Sequence, residues 1–146
     1  MKVALINDTH FGARNDSQAF MNYFKKFYEE VFFPTLEERG ILNIIHLGDV
    51  VDRRKIINWK TVYQMREIFF DVCHGRHINL HLIVGNHDTY FRNTNIVNSL
   101  DGLRLEENHQ FHIYQEPTEI ELDGNKFFLQ PWICDENKEQ SLKAIE

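Results

Sequence analysis

The sequence predicts an α/β fold built on a parallel sheet, because short apolar strands alternate with longer helical patterns. Residues 2–6, 41–47 and 77–84 are apolar runs of strand length, and polar turn residues follow each of them. Residues 17–39 and 59–73 lie between these runs and carry apolar side chains at helical spacing. The order strand, helix, strand, helix, strand implies right-handed crossovers between parallel strands.

The first predicted helix, residues 17–39, has recognisable ends. Ser17 is a favourable N-cap residue, and Gly40 follows as a stop signal. Pro34 lies inside the helical pattern, and proline lacks an amide hydrogen and clashes with the preceding turn. The helix is therefore expected to end or kink near Phe33.

Smaller elements are predicted after the third strand. They are a short helix at 96–105, a strand at 111–114 and a hairpin with arms at 118–122 and 126–130. The hairpin turns at "DGN", a strong turn signal. A last helix is expected after Asp135 or Asn137, since either residue can cap it.

The bulk composition is that of an ordinary globular protein of one domain. The formal net charge of −6 argues against a nonspecific, strongly basic nucleic-acid binder. No apolar run approaches the roughly 20 residues that span a bilayer, and no N-terminal signal pattern is visible, so a cytoplasmic location is expected. Cys73 and Cys134 are far apart and indicate two reduced, buried thiols.

Polar side chains follow all three predicted strands of the sheet. They are Asp8 and His10 after the first strand, Asp49 and Asp52 after the second, and Asn86, His87 and Asp88 after the third. Because the carboxyl ends of parallel strands lie along one edge of a sheet, these side chains should converge. Carboxylate, carboxamide and imidazole groups without thiolates suit Mn²⁺, Fe²⁺ or Zn²⁺. Since a carboxylate has two oxygens, Asp49 could bridge a pair of ions, a recurring device for phosphoester hydrolysis.

Simpler interpretations stay open for some of these residues and hold for the other histidines. Asp52 and Asp88 could equally act as turn or cap acceptors. His46 lies inside a predicted strand and is expected to be packed. The remaining histidines lack metal-ligand spacing and are expected to be structural; they are His74, His77, His81, His109 and His112.

Three motifs at the strand ends resemble a known family. "DTHFG", "GDVVDR" and "GNHD" resemble the first three signature motifs of the calcineurin-like metallophosphoesterases. "GDVVDRRK" with "IVGNHD" resembles, more narrowly, the SbcD-like nuclease subunits of double-strand break repair, and "QPWICDEN" resembles recombination endonuclease subunits of T-even-type phages. The resemblance implies a metallophosphoesterase β-sandwich flanked by helices.

Two further motifs of that family, a Gly-His and a later Gly-His-x-His, do not occur in this sequence. The resemblance therefore implies that residues 1–146 form the N-terminal part of a single nuclease domain, truncated after its first half. The missing imidazoles should complete both metal sites, so this chain alone is expected to be an inactive fragment.

The resemblance also implies a role for each site residue. Asp8 and His10 would ligate one metal, Asp49 would bridge, Asn86 would ligate the second metal, His87 would act on the leaving oxygen, and Asp88 would orient His87. Basic residues just beyond the motifs would contact substrate phosphates: Arg14, Arg53, Arg54 and Arg92, with Lys55 beside them.

The predicted function is a DNA nuclease that uses two divalent ions, Mn²⁺ first and Mg²⁺, Fe²⁺ or Zn²⁺ as alternatives. The resemblance implies a recombination and repair complex that contains an SbcC-like ATPase subunit and a homodimer of the nuclease. It would act in the cytoplasm of the host cell if a phage encodes it. The alternatives are a phosphatase that acts on phosphomonoesters and a non-catalytic interaction module.

Overall fold

A four-stranded parallel sheet organises the computed structural model, which describes residues 2–145. Its strands are β1 (Ala4–Ile6), β2 (Asn43–His46), β3 (Asn79–Ile83) and β4 (Phe111–Tyr114), in that spatial order. Every neighbouring pair is parallel. The predicted α/β fold with a parallel sheet is confirmed, and the polar segments that follow β1, β2 and β3 leave the same edge.

Helices connect the strands of the sheet, and a last helix lies near the C-terminal end of the chain. They are α1 (Ala13–Asp16), α2 (Gln18–Phe27), α3 (Phe33–Arg39), α4 (Trp59–Met65), α5 (Asp71–Gly75), α6 (Ser99–Gly102) and α7 (Lys138–Ile145), with a short 3₁₀ turn at Leu105–Glu107. The π-helical segments Tyr28–Phe32 and Arg66–Phe70 join α2 to α3 and α4 to α5. The two long predicted helices are therefore present, each with a wider turn in its middle.

Of the two predicted outcomes near Phe33, the helix does not end there but changes from α-helical to π-helical geometry just before it. The chain passes through the π-helical turn, in which the Phe33 amide donates to the carbonyl of Tyr28, and continues to Arg39. Pro34 then occupies the first turn of α3, where an amide hydrogen is not needed. Gly40 ends the helix in the left-handed conformation as predicted, with φ of 62°. The Ser17 side chain, however, makes no capping hydrogen bond.

The predicted helix at 96–105 is much shorter than expected. The Asn98 side chain accepts the amide of Asp101 and starts α6 at Ser99. Arg104 has φ of 52°, in the left-handed region, and this conformation ends the helical path before Leu105.

The two faces of the sheet are covered differently. The helical face packs on a large core that is rich in aromatic rings, such as Phe11, Phe33 and Phe69. On the other face, Ile45 and Ile83 pack against a hairpin of β5 (Thr118–Leu122) and β6 (Asn125–Leu129). The hairpin is confirmed and forms a second, two-stranded β-layer. This arrangement of sheet, hairpin and flanking helices agrees with the predicted β-sandwich.

Asn137 lies at the N-cap position of α7, one of the two positions that the sequence proposed, and it also fixes the segment before the helix. The Asn137 side chain accepts the Cys134 amide and donates to the carbonyl of Trp132, while its own carbonyl accepts the amide of Ser141.

Cys73 and Cys134 are both free and buried, as predicted. Within residues 2–145, no helix is long and apolar enough to cross a membrane.

Candidate metal centre

The loops after β1 and β2 are joined by their backbones. The Asp8 amide donates to the carbonyl of Gly48 at 3.2 Å, and the His10 amide donates to that of Asp49 at 3.0 Å. Asp8, His10 and Asp49 all have positive φ, at 52°, 41° and 56°. Such conformations cost about 1–3 kcal/mol each and cluster at functional sites, where the surrounding structure enforces them. The strained backbone places these three site residues at one edge of the sheet.

The side chains of these residues converge. His10 Nε2 lies 3.4 Å from Asp8 Oδ1 and 3.9 Å from Asp49 Oδ2. One ligand atom from each of the three residues lies within 4.8 Å of the others, a spacing that could hold a metal ion. No other histidine, cysteine, aspartate or glutamate of residues 2–145 belongs to such a cluster.

Asn86 completes this arrangement from the loop after β3. One end of its amide lies 3.0 and 3.2 Å from the two carboxylate oxygens of Asp49. If the amide nitrogen of Asn86 occupies that end, it donates to the Asp49 carboxylate. If the amide oxygen occupies it, three acceptor oxygens converge, and only a cation among them would stabilise this orientation. The structure thus brings together all four residues predicted to hold metal, and their oxygen and nitrogen donors fit a divalent ion.

His87 lies beside this cluster with one ring nitrogen already engaged. Its Nδ1 is 2.6 Å from the carbonyl oxygen of Asp52, and its backbone amide donates to Asp49 Oδ1 at 2.8 Å. The His87 and His10 rings meet edge to face at 4.8 Å. Because a carbonyl can only accept, Nδ1 carries the proton, and Nε2 is the nitrogen available to a substrate.

Asp52 orients His87 and lies beside His10. Its carbonyl holds the His87 ring, and its carboxylate Oδ1 lies 3.5 Å from Nδ1 of His10. The sequence interpretation left open whether Asp52 acts at the site or as a turn or cap acceptor. Its contact with His87 uses a backbone atom, which any residue type could supply, so no signal in the sequence could have identified it.

Asp88 makes the contacts of a backbone acceptor, one of the two roles that the sequence left open for it. Its carboxylate accepts the backbone amides of Asp49, Val50 and Gly85 at 2.9 Å and that of Val51 at 3.2 Å. It is fully buried, and burial raises the pKa of its carboxyl to about 6 although the amide donors oppose this shift. Its hydrogen bonds therefore hold the loop of Asp49 against the loop of Gly85, while the carbonyl of Asp52 orients the His87 ring.

His46 is a packed residue that holds the loop after β2. Its Nδ1 accepts the Gly48 amide at 3.2 Å, and its Nε2 lies 3.0 Å from the Thr9 hydroxyl. The Thr9 hydroxyl donates to the carbonyl of Val50, so it accepts from Nε2 of the imidazole. Complete burial lowers the pKa of His46 to about 3, and the ring is neutral. The expectation that His46 is structural is confirmed.

Glycine is required where the loops after β2 and β3 touch. A Cβ on Gly48 would lie 2.7 Å from Cα of Gly85, and one on Gly85 would overlap the amide nitrogen and Oδ1 of Asp49. We expect Gly85→Ala to destabilise the fold by about 1–3 kcal/mol, since the overlap displaces backbone rather than a flexible side chain. Urea denaturation followed by circular dichroism measures this. Gly75→Ala, which meets nothing within 4 Å, is the matched control; equal stability of the two variants would contradict the close approach.

Several of the predicted substrate-binding cations are held by neighbouring side chains. Arg53 pairs with Asp16, which also accepts the Thr61 hydroxyl at 2.7 Å. Arg54 donates to the Thr89 hydroxyl at 3.2 Å. The other predicted contacts lie at the surface: Arg14, in the left-handed turn α1 with its guanidinium over the Phe20 ring, and Arg92.

Comparison with known proteins identifies the class of this fold and centre. The profile of the calcineurin-like phosphoesterases matches residues 1–139, and the chain therefore belongs to this metallophosphoesterase family. It is 32% identical to exonuclease subunit 1 of Enterobacteria phage T4, over 149 residues that cover 100% of this chain. The chain spans only 42% of the length of that curated relative.

A solved structure shares the fold. The crystal structure of the nuclease MPE of Pseudomonas putida superposes with a TM-score of 0.52, over 82% of this chain and 50% of that one. At 20% identity, this similarity supports the architecture alone. The predicted family and fold are confirmed by these comparisons together.

Proposed function

We propose that this chain belongs to a metal-dependent DNA nuclease subunit of the SbcD-like type, which hydrolyses phosphodiester bonds. The observation that carries the proposal is the convergence of four potential ligands at one sheet edge: Asp8, His10, Asp49 and Asn86. Membership of the calcineurin-like phosphoesterase family supports phosphoester hydrolysis. The similarity to a phage exonuclease subunit favours DNA as the substrate.

The four residues would hold two divalent ions. Asp8 and His10 would bind the first, Asn86 the second, and Asp49 would bridge them, because both of its oxygens face the cluster. Mixed carboxylate, imidazole and carboxamide donors favour Mn²⁺, with Fe²⁺, Zn²⁺ and Mg²⁺ as alternatives. When bound, such a pair supplies positive charge to the attacked phosphate and lowers the pKa of a coordinated water.

His87 would supply the proton that the leaving oxygen needs, acting as a doubly protonated imidazolium. The carbonyl of Asp52 keeps one proton on Nδ1, so the ring would give up the proton on Nε2 and return to its neutral form. Asp88 acts one step further away, because it holds the backbone of Asp49 and so the carboxylate between the ions. In the nuclease, Asp88 is thus a positioning residue.

The protein would work as one subunit of a larger complex. The T4 relative is by its name a subunit of an exonuclease. This name supports assembly with a second subunit. The resemblance to SbcD-like proteins implies that the second subunit is an ATPase of the SbcC type and that the nuclease forms a homodimer.

A phosphomonoesterase of the same family is the competing function. The cations beyond the motifs favour nucleic acid, since Arg54 and Lys55 are adjacent and not paired with a carboxylate of residues 2–145, in a chain of net charge −6. A strand with several phosphates can use them, whereas a single phosphate cannot.

Cleavage assays of the full-length protein distinguish the two functions. With Mn²⁺, we expect kcat/KM for a single-stranded oligonucleotide to exceed that for p-nitrophenyl phosphate at least tenfold, because only the longer substrate reaches the cations. EDTA should abolish the cleavage of both. The opposite preference would establish the phosphomonoesterase, and DNA cleavage that survives EDTA would exclude the proposed metal dependence.

A further inference from the structure

A groove of about 270 Å³ is lined by residues that follow the metal-centre loops along the chain. The segment after β2 contributes Arg53, which follows directly on Asp52, and Trp59 at the start of α4. The segment after β3 contributes Tyr90, three residues beyond His87, and Val97. The groove is thus built by the two segments that leave the metal centre after β2 and β3.

The rim of this groove is cationic. Arg54 donates to the Thr89 hydroxyl, which fixes its side chain at the wall. Lys55 lies with its ammonium 5.0 Å from the centre of the Tyr90 ring. Arg53 is already neutralised by Asp16, so Arg54 and Lys55 are the cations available to a ligand. Because the chain as a whole is acidic, this local charge favours a phosphate-bearing partner.

The groove also presents aromatic rings to solvent. Trp59 is 75% exposed although indole is among the most hydrophobic side chains, and Tyr90 is 39% exposed. Exposed rings within a cationic groove are the combination that binds unpaired nucleotides, since each base has a face that can stack on a ring. Paired bases stack on one another inside a duplex and cannot offer that face.

We propose that this groove binds an unpaired stretch of a DNA strand, with its phosphates on Arg54 and Lys55 and a base stacked on Trp59. The proposal rests on the proposed nuclease function, and it makes that function selective for unpaired DNA. Because Arg53 in the groove lining directly follows Asp52, a strand bound there would lie near the metal centre.

The test is the binding of labelled oligothymidylate by the full-length protein in EDTA, measured by fluorescence anisotropy, so that neither metal nor cleavage is needed. We expect Trp59→Ala to weaken binding about tenfold, because one stacked base is lost. Tyr63→Ala is the matched control: it is also on α4, is 76% exposed and does not line the groove. It should change affinity less than twofold. Lys55→Gln should lower the dependence of affinity on salt by about one ion.

Several results would overturn the proposal. They are unchanged binding by Trp59→Ala, equal losses in Trp59→Ala and Tyr63→Ala, and the same loss for duplex DNA as for oligothymidylate. Sedimentation that shows a dimer of the wild type and a monomer of Trp59→Ala would make the groove an interface between copies. Failure of the nuclease function itself is visible separately, as a protein that binds oligothymidylate through Trp59 and cleaves no DNA with Mn²⁺.

Discussion

Asp49→Ala should reduce Mn²⁺-dependent hydrolysis by the full-length protein by a hundredfold or more. Asp49 is at the centre of the cluster, with Oδ2 3.9 Å from His10 Nε2 and both oxygens within 3.2 Å of the Asn86 amide. If it bridges the ions, its loss weakens both, and metal ions contribute several kcal/mol of charge stabilisation to the transition state. Initial rates of oligonucleotide cleavage measure the effect.

His87→Ala separates the chemistry from metal binding. It should slow cleavage at least tenfold while titration calorimetry gives a Mn²⁺ affinity within threefold of the wild type, because His87 is assigned to the substrate. Asp49→Ala should lose Mn²⁺ binding in the same measurement. The exposed carboxylate of Asp71, on α5, supplies the control variant Asp71→Ala, which should change neither quantity. Equal loss of Mn²⁺ by the His87 and Asp49 variants would reverse the assigned roles.

Asp88→Ala should destabilise the folded chain by more than about 3 kcal/mol. Four backbone amides lose their common acceptor, those of Val50 and Val51 are buried, and each unpaired buried donor costs about 1–3 kcal/mol. Asp88→Asn should be nearly as unfavourable, because its NH₂ end faces amide donors at one of the two oxygen positions. Urea unfolding in EDTA, followed by circular dichroism, measures the free energy without a contribution from metal.

The control for this experiment is Asp71→Asn, an exposed aspartate that should change stability by less than about 0.5 kcal/mol. The contrary result would be an Asp88→Asn variant that keeps its stability and binds Mn²⁺ normally but cleaves DNA slowly. Such a variant would show that Asp88 acts through His87, as the sequence interpretation first held, rather than through the backbone of the loop.

The amino-acid sequence by itself determined that a parallel sheet forms and which residues lie at the candidate metal centre. Short apolar strands that end in polar residues are local patterns, and the parallel order of strands follows from the helices between them. Because the carboxyl ends of parallel strands share one edge, the sequence alone was sufficient to expect Asp8, His10, Asp49 and Asn86 together. The family motifs added the roles, which the experiments above test.

Only the tertiary structure decided which groups hold these residues in place. Asp88 binds amides of Val50 and Val51, and Asp52 presents its carbonyl to His87, across separations of 35 to 38 residues. Periodicity and spacing describe neighbours along the chain, and they contain no information on such contacts. A backbone carbonyl or amide is also the same in every residue type, so its partner is set by packing. The pairing of the Arg53 and Asp16 side chains is also a contact between distant parts of the chain, so the sequence did not predict it. This pairing leaves Arg54 and Lys55 as the free cations of the groove.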